Sequence, residues 1–459
     1  MKNKNYEMDM CRGSLLRKVI SFSLPLMLTG ILQLFYNAAD IIVVGRFAGK
    51  EALAAVGSTS SLINLLINIF IGLSVGTSVT VAQHYGAGDR TGVGKAVHTS
   101  ITLALIGGFG LGILGFVLAR PLLGWMGSPA DVIGGASLYM RIYFIGMPAN
   151  LLYTFGSAIL RAVGDTRRPL VFLTIAGIIN VILNLVFVLG FHIDVAGVAL
   201  ATIISQAVSA VLVLRCLVHT TGTVRLIPKE LRIHRQSLAM IMRIGLPAGL
   251  QGTLFSVSNV LIQSSVNSFG SAVMAGNATS SSLEGFVYTA MNSIYQACLT
   301  FVGQNRGAGQ YARVRRILWV CLLLVTGVGV ASGGLFILLG PQLISIYNAD
   351  PQVIQYGVQR LNIICSLYFL CGVMEVLVGQ LRGLGYSMVP MIATLISVCV
   401  FRIVWVYTVF VRFPSVPTLM WSYPVSWIIA ALFHLCTYFV VLRKLPKEDA
   451  PMNEASCAC

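Results

Sequence analysis

The chain has 459 residues, of which 56% are hydrophobic and only 10% charged, with 31 Lys and Arg against 15 Asp and Glu. An ordinary soluble domain carries about 25% charged residues, so this composition cannot clothe a water-facing surface and places most of the chain in lipid. The net charge of +16 does not point to nucleic acid, because the cations sit in short loops between apolar stretches, where the positive-inside rule expects them.

Each apolar stretch is long enough to cross a ~30 Å hydrocarbon core as a helix. Helices satisfy every backbone polar group within the segment, and the short alternating strands of a barrel are missing from the pattern. In chain order the predicted spans are 15–43, 53–81, 97–119, 132–158, 169–190 and 195–217, then 237–266, 272–302, 315–338, 350–377, 388–410 and 418–441. The expected class is all-α: a polytopic membrane protein with 12 transmembrane helices in two pseudo-symmetric six-helix lobes. The N-lobe is expected over 1–217, a cytoplasmic linker over 218–236 with Arg225, Lys229, Arg232 and Arg235, the C-lobe over 237–443, and a disordered polar tail over 444–459. Ten scattered cysteines without zinc-ligand spacing read as small apolar fillers rather than a disulfide framework. No small-residue cleavage site follows the first apolar core, so that span is expected to be retained.

Alternate loops carry Arg90 and Lys95; Arg161, Arg167 and Arg168; the linker bases; Arg306, Arg313, Arg315 and Arg316; and Arg382. The opposite loops hold only Arg46, Lys50, Arg120 and Arg412. Both termini are basic too, so both ends are expected in the cytoplasm, with the chain in the inner cell membrane.

The halves repeat. Gln83-His-Tyr-Gly-Ala-Gly88 matches Gln304-Asn-Arg-Gly-Ala-Gly309, Leu160-Arg-Ala-Val-Gly164 matches Leu381-Arg-Gly-Leu-Gly385, and Pro169 matches Pro390, all at an offset of 221. Phe22-Ser-Leu-Pro25 matches Ile244-Gly-Leu-Pro247 with a shift of one residue. Six spans separate the repeats, so they run parallel about an axis along the membrane normal. Transporters with such repeats hold substrate near mid-membrane and alternate access by rocking one lobe against the other.

Acids inside spans are costly, about 2.5–3.5 kcal/mol on insertion scales, and mark candidate sites. Asp40 is the first, with Tyr36 and Asn37 at i−4 and i−3 on its helix face. Asn180 and Asn184 share a face of the fifth span and need buried partners; Asp40 is one, and Thr202 of the sixth span another. Pro25 removes a helix hydrogen bond in span 1 and is a candidate hinge. The second half offers Glu284 in mid-span and Glu375, seven residues before Arg382, which is expected to form a salt bridge with that acid if Glu375 is structural. Arg141 and Arg360 are expected to snorkel outward, and the more central Arg402 to pair with an acid. No G-x-x-x-x-G-K-[ST] loop is present, so uphill transport would draw on an ion gradient or a separate subunit. No cofactor is expected.

Ser23-Leu-Pro25, Asp40-Ile-Ile-Val-Val-Gly-Arg46, the paired Gly-Ala-Gly loops and Leu160-Arg161…Gly164-Asp165-Thr166…Pro169 together resemble the multidrug and toxic compound extrusion (MATE) family, over about residues 12–445. The likeness is greatest to its DNA-damage-inducible-type branch. It implies an antiporter exporting amphipathic or cationic drugs or metabolites for H⁺ or Na⁺, as a monomer in the bilayer and not an enzyme. By resemblance, Asp40 binds the coupling ion, Asn180, Asn184 and Thr202 are its partners, and Pro25 is where the first helix bends. The branch often has Asp where this chain has Asn184, and one carboxylate fewer weakens a sodium site more than a proton site. The other main branch carries a Glu on helix 7, where this chain has Gln251. The alternative is a lipid-linked oligosaccharide flippase of the same superfamily, which would line its cavity with more cations than Arg402 alone. A membrane-embedded enzyme would need clustered His, Asp or Ser, and the six histidines form no such cluster in sequence.

Overall fold

The structure, a computed structural model, describes residues 7–126, 132–446 and 449. Among these residues there is no strand. The first half comprises α1 (Leu15–Val43), α2 (Gly49–Gly86), α3 (Arg90–Trp125), α4 (Ile133–Ile145), α5 (Met147–Ala162), α6 (Arg167–Leu185) and α7 (Asp194–His219). The second comprises α8 (Arg235–Asn267), α9 (Ser271–Gly307), α10 (Tyr311–Leu338), α11 (Gly340–Tyr347), α12 (Pro351–Ser366), α13 (Tyr368–Gly383), α14 (Met388–Thr394), α15 (Phe401–Trp405) and α16 (Val416–Leu442). Short π-helical stretches extend α1 and α6 and join α14 to α15.

Nine of these segments are each long and apolar enough to cross a membrane, and two bent pairs raise the number to 11. The remaining pass is α9, 37 residues long but too rich in Ser, Thr, Asn and Gly to reach the hydropathy of the others. Twelve passes result, as the sequence predicts. Two of them are not the single straight spans expected. The pass predicted at 132–158 breaks between α4 and α5 with a 50° bend, and the one at 350–377 breaks between α12 and α13 with a 45° bend. At the first break Pro148 takes up an opening position of α5, where its missing N–H costs no helix bond.

Two of the repeated sequence motifs, the Gly-Ala-Gly pair and the Leu-Arg pair, are helix endings. Gly88, Gly164, Gly309 and Gly385 have φ of 70°, 94°, 70° and 81°, the left-handed region that only glycine enters cheaply. After each, the next amide reaches back five residues: Asp89 N donates to His84 O at 3.0 Å, Asp165 N to Leu160 O at 3.0 Å, Gln310 N to Asn305 O at 2.8 Å and Tyr386 N to Leu381 O at 2.9 Å. This is the Schellman ending, which satisfies orphan carbonyls at a helix C-terminus. The internal repeat therefore marks where α2, α5, α9 and α13 stop.

Within the described residues the chain resolves into two units, one of residues 7–9 and 28–249, the other of residues 10–27, 250–446 and 449. Both boundaries lie inside helices, at Met27/Leu28 in α1 and Gly249/Leu250 in α8. Each falls two residues beyond the internal proline, Pro25 or Pro247, and α1 runs unbroken through Pro25.

In the first unit, Phe155, Ile159 and Leu160 of α5 are buried in one cluster with Val81, Val93 and Val97. The start of α8 belongs here because it crosses α2 at glycine: a Cβ on Gly72 would overlap the backbone of Gly249. Small residues let helix backbones meet in this way. The stretch 218–236 also lies in this unit, held by Leu226 N donating to Leu217 O at 2.9 Å and Ile227 N donating to His98 Nε2 at 3.1 Å. In the second unit, Phe22 of α1 packs edge-on to Phe301 of α9 with ring centroids 5.7 Å apart. Cys11 is disulfide-bonded, unlike the free cysteines inside the helices, such as Cys298 and Cys321. Of the tail expected to be disordered, residues 447, 448 and 450–459 lie outside the described residues. Asp449 accepts a hydrogen bond from Ala312 N at 2.8 Å.

Candidate functional site

Four helices of the first unit present polar side chains at one-face spacing. Along α1 these are Gln33, Tyr36, Asn37 and Asp40, steps of 3, 1 and 3. Along α7 they are Thr202, Ser205, Gln206 and Ser209, with the same steps. Helix α5 adds Asn150, Tyr153 and Thr154, and α6 adds Asn180. Side chains three and four apart share a helix face, and all these stripes line one cavity of about 190 Å³.

Among the described residues Asp40 is the only carboxylate lining it. Asn184, itself fully buried, donates from Nδ2 to Asp40 Oδ1 at 2.5 Å and to Asn180 Oδ1 at 3.2 Å. Its Oδ1 is buried without a hydrogen-bond partner. The array thus offers a carboxylate and a spare amide oxygen side by side. Such oxygens suit a proton or a hard cation. Among the described residues no three His, Cys, Asp or Glu side chains converge to hold a metal ion.

Tyr36 is positioned by α6. Its hydroxyl donates to Thr174 O at 3.4 Å, and its ring lies over Gly177, where any Cβ would overlap it. Asn37 lines the cavity. Thr202 lines it as well, but its hydroxyl donates back to Val198 O at 2.9 Å, so it does not serve the Asn180–Asn184 pair as expected. Gln33, Asn150, Tyr153, Ser205, Gln206 and Ser209, which carry no charge, complete the polar lining, and their signal in the sequence is the three-and-four spacing.

The second unit arranges its charges differently from expectation. Glu284 of α9 receives Arg360 of α12 through two bonds, Nε to Oε1 at 2.8 Å and a terminal nitrogen to Oε2 at 2.7 Å. Arg360 also donates to Asn277 Oδ1 at 2.6 Å. It is 5% exposed and does not snorkel: its fork has a carboxylate and an amide inside the helix bundle. Arg402 is 3% exposed and, among the described residues, pairs with no acid. Its guanidinium lies 4.1 Å from the Tyr423 ring centroid, and Nε donates to Ser426 Oγ at 3.1 Å.

Gln251 accepts from Arg382 at 2.9 Å, and Arg382 also donates to the Tyr295 hydroxyl at 2.8 Å. Arg382 is therefore a buried residue of the bundle, 5% exposed, rather than a loop base. Glu375 is half-buried and forms no ion pair with it within 4.0 Å, so the expected Glu375–Arg382 salt bridge is not made.

Comparison with known proteins adds to this geometry. The family model described as MatE matches residues 25–186 and 247–408. The chain is 29% identical over 394 residues to a protein of Bacillus subtilis named probable multidrug resistance protein YpnP, covering 86% of this chain and 88% of that one. It is 25% identical over 390 residues to a protein of Shewanella oneidensis named FAD transporter, covering 83% and 85%. A solved structure of a MOP superfamily transporter from Pyrococcus furiosus matches with a TM-score of 0.90 at 22% identity, over 98% of this chain and 100% of that chain. At that identity the likeness is one of fold.

Proposed function

The chain belongs to the MatE family, and on that premise we propose that it is a secondary multidrug exporter, trading amphipathic, often cationic compounds for H⁺ or Na⁺ across the cell membrane. The observation that carries this reading is Asp40, set in a polar cavity with Asn184 bonded to one carboxylate oxygen. The cavity walls are amides, hydroxyls and phenol rings around one negative charge. That mixture orients a cation without demanding one shape, as ligand pockets with few placed polar groups do.

In the proposed cycle Asp40 is ionised while it holds a cation or a cationic drug. A proton or sodium ion arriving from outside takes its place, and the drug leaves. The arriving ion shifts the protein between outward and inward access only through its different affinity for the two states. Helix α1 rearranges near Pro25, close to where it passes from one unit to the other. Asn184 and Asn180 hold the carboxylate during exchange, and Thr202 and Asn37 stand at the cavity wall. The protein works as a monomer, with both termini on the cytoplasmic side.

Efflux of an ethidium-type dye from proteoliposomes tests the proposal. A pH or sodium gradient is expected to accelerate efflux, and no acceleration by either would sink it. Because one relative is named a FAD transporter, a flavin dinucleotide belongs in the substrate panel. Its export in place of the dye would replace the cationic-drug assignment with an anionic one.

A further inference from the structure

A second cavity, of about 350 Å³, lies in the first unit between the opening turns of α3 and the stretch 223–234. Its size falls in the range of small-molecule sites, roughly 300–1,000 Å³. Arg90 and Lys95 line one side, Arg225 and Arg232 the other, against the single carboxylate of Glu230. Among the described residues none of these cations is in a salt bridge. The neighbouring Asp89 is not among the lining residues: it accepts from Gly92 N at 2.8 Å and pairs with His84 at 3.0 Å.

The positive-inside rule asks only that basic residues lie on one side of the membrane. It does not require them to converge on one concavity with fixed walls. Here the walls are fixed. His98 takes Ile227 N at 3.1 Å, Thr99 Oγ1 takes His234 N at 3.0 Å, and Arg232 Nε donates to His234 Nε2 at 3.0 Å. Thr223 also lines the cavity, and its hydroxyl is buried with no hydrogen-bond partner. A buried hydroxyl without a partner costs free energy, and an anion seated here would supply one. Desolvation, with the charges of Arg232, Lys95 and His98, holds the His234 imidazole below its usual pKa, in keeping with a positive local field.

We infer that this cavity binds a phosphate-bearing anion of at least two negative charges. Arg fits the role because its planar fork matches phosphate oxygens. The phosphate comes either from a soluble compound or from the headgroup of an acidic phospholipid at the same face. Neither source bears on what the transporter exports, so the inference stands apart from the export reading.

The test is a binding measurement on the purified full chain. Inorganic pyrophosphate is titrated into delipidated protein in detergent by calorimetry. In parallel, thermal stability is compared in phosphatidylcholine vesicles with and without cardiolipin. Arg225→Gln with Arg232→Gln is expected to weaken the response roughly tenfold, the scale of losing charge-assisted hydrogen bonds. Thr223→Ala is expected to weaken it less, and added salt to weaken it further. Arg316→Gln with Lys444→Gln removes the same charge elsewhere and is expected to change little. Saturable pyrophosphate binding supports the site with a soluble ligand; stabilisation by cardiolipin alone supports it with a lipid headgroup. No saturable response to either probe, or equal losses in the two double variants, would overturn it.

Discussion

Arg360 holds Glu284 with two nitrogens of its guanidinium, at 2.8 and 2.7 Å, deep in the second unit. Both carboxylate oxygens are taken, and both side chains are 7% exposed. An acid bound in this way is poorly placed to trade ions. Removing one partner of a buried pair typically costs about 3–5 kcal/mol, because the other charge is left uncompensated. Glu284→Ala is therefore expected to lower the melting temperature in detergent sharply. Glu284→Gln combined with Arg360→Met is expected to recover most of that loss. A Glu284→Ala protein as stable as wild type would show that the pair contributes nothing.

Asn184 holds Asp40 by one hydrogen bond and keeps a carbonyl oxygen unpaired. Asn184→Ala is expected to slow gradient-driven efflux by roughly tenfold or more while leaving the fold intact, as a lost hydrogen bond to a charged group is worth roughly 1.5–3 kcal/mol. Asn184→Asp would set two carboxylates together, the donor set a hard cation prefers. Sodium-driven efflux is expected to rise relative to proton-driven efflux in that variant. An unchanged ratio would remove Asn184 from the ion site.

Gly177 is the floor beneath the Tyr36 ring. Gly177→Ala forces the ring aside, an overpacking change of about 1–3 kcal/mol. Dye affinity, read as the KM of efflux, is expected to weaken more in Gly177→Ala than in Tyr36→Phe, which loses only the long 3.4 Å bond to Thr174 O. Equal KM values in Gly177→Ala and wild type would contradict this placement.

Asp165 sits in the loop between α5 and α6, 2% exposed. Burial pushes its carboxyl up from 3.8 to about 6, against the opposing pull of its bonds to Arg168. The folded chain therefore binds this proton more tightly than the unfolded chain. The resulting stability is full below about pH 4 and is lost as pH rises through about 6, on the order of 2–3 kcal/mol. Asp165→Asn can still accept from Arg168 N, as Asp165 does at 3.1 Å, and is expected to flatten the dependence over that window. Melting temperatures from pH 4 to 7 provide the check, and identical profiles in the two proteins would refute it.

The spans and the repeat were legible because both rest on local rules: apolar length, and the glycines that end helices in the left-handed conformation. The same rules reached Asp40, Asn180 and Asn184, which the spacing put on two helix faces. The long-range partnerships were not legible. Nothing in the sequence says that Arg360 meets Glu284 across 76 positions, or that Arg402 prefers Tyr423 and Ser426 to any acid. Those choices depend on which helices become neighbours. The bends at 146 and 367 are not legible for a related reason, since an apolar run reads as one span whether or not it turns inside.

The most direct test of Asp40 as the coupling residue compares wild type with Asp40→Asn in proteoliposomes, following dye efflux under an imposed pH gradient and, separately, a sodium gradient. The account predicts that one gradient drives efflux by wild type and that neither drives it in Asp40→Asn, while dye binding to the variant remains measurable. Gradient-driven efflux at the wild-type rate in Asp40→Asn would contradict it.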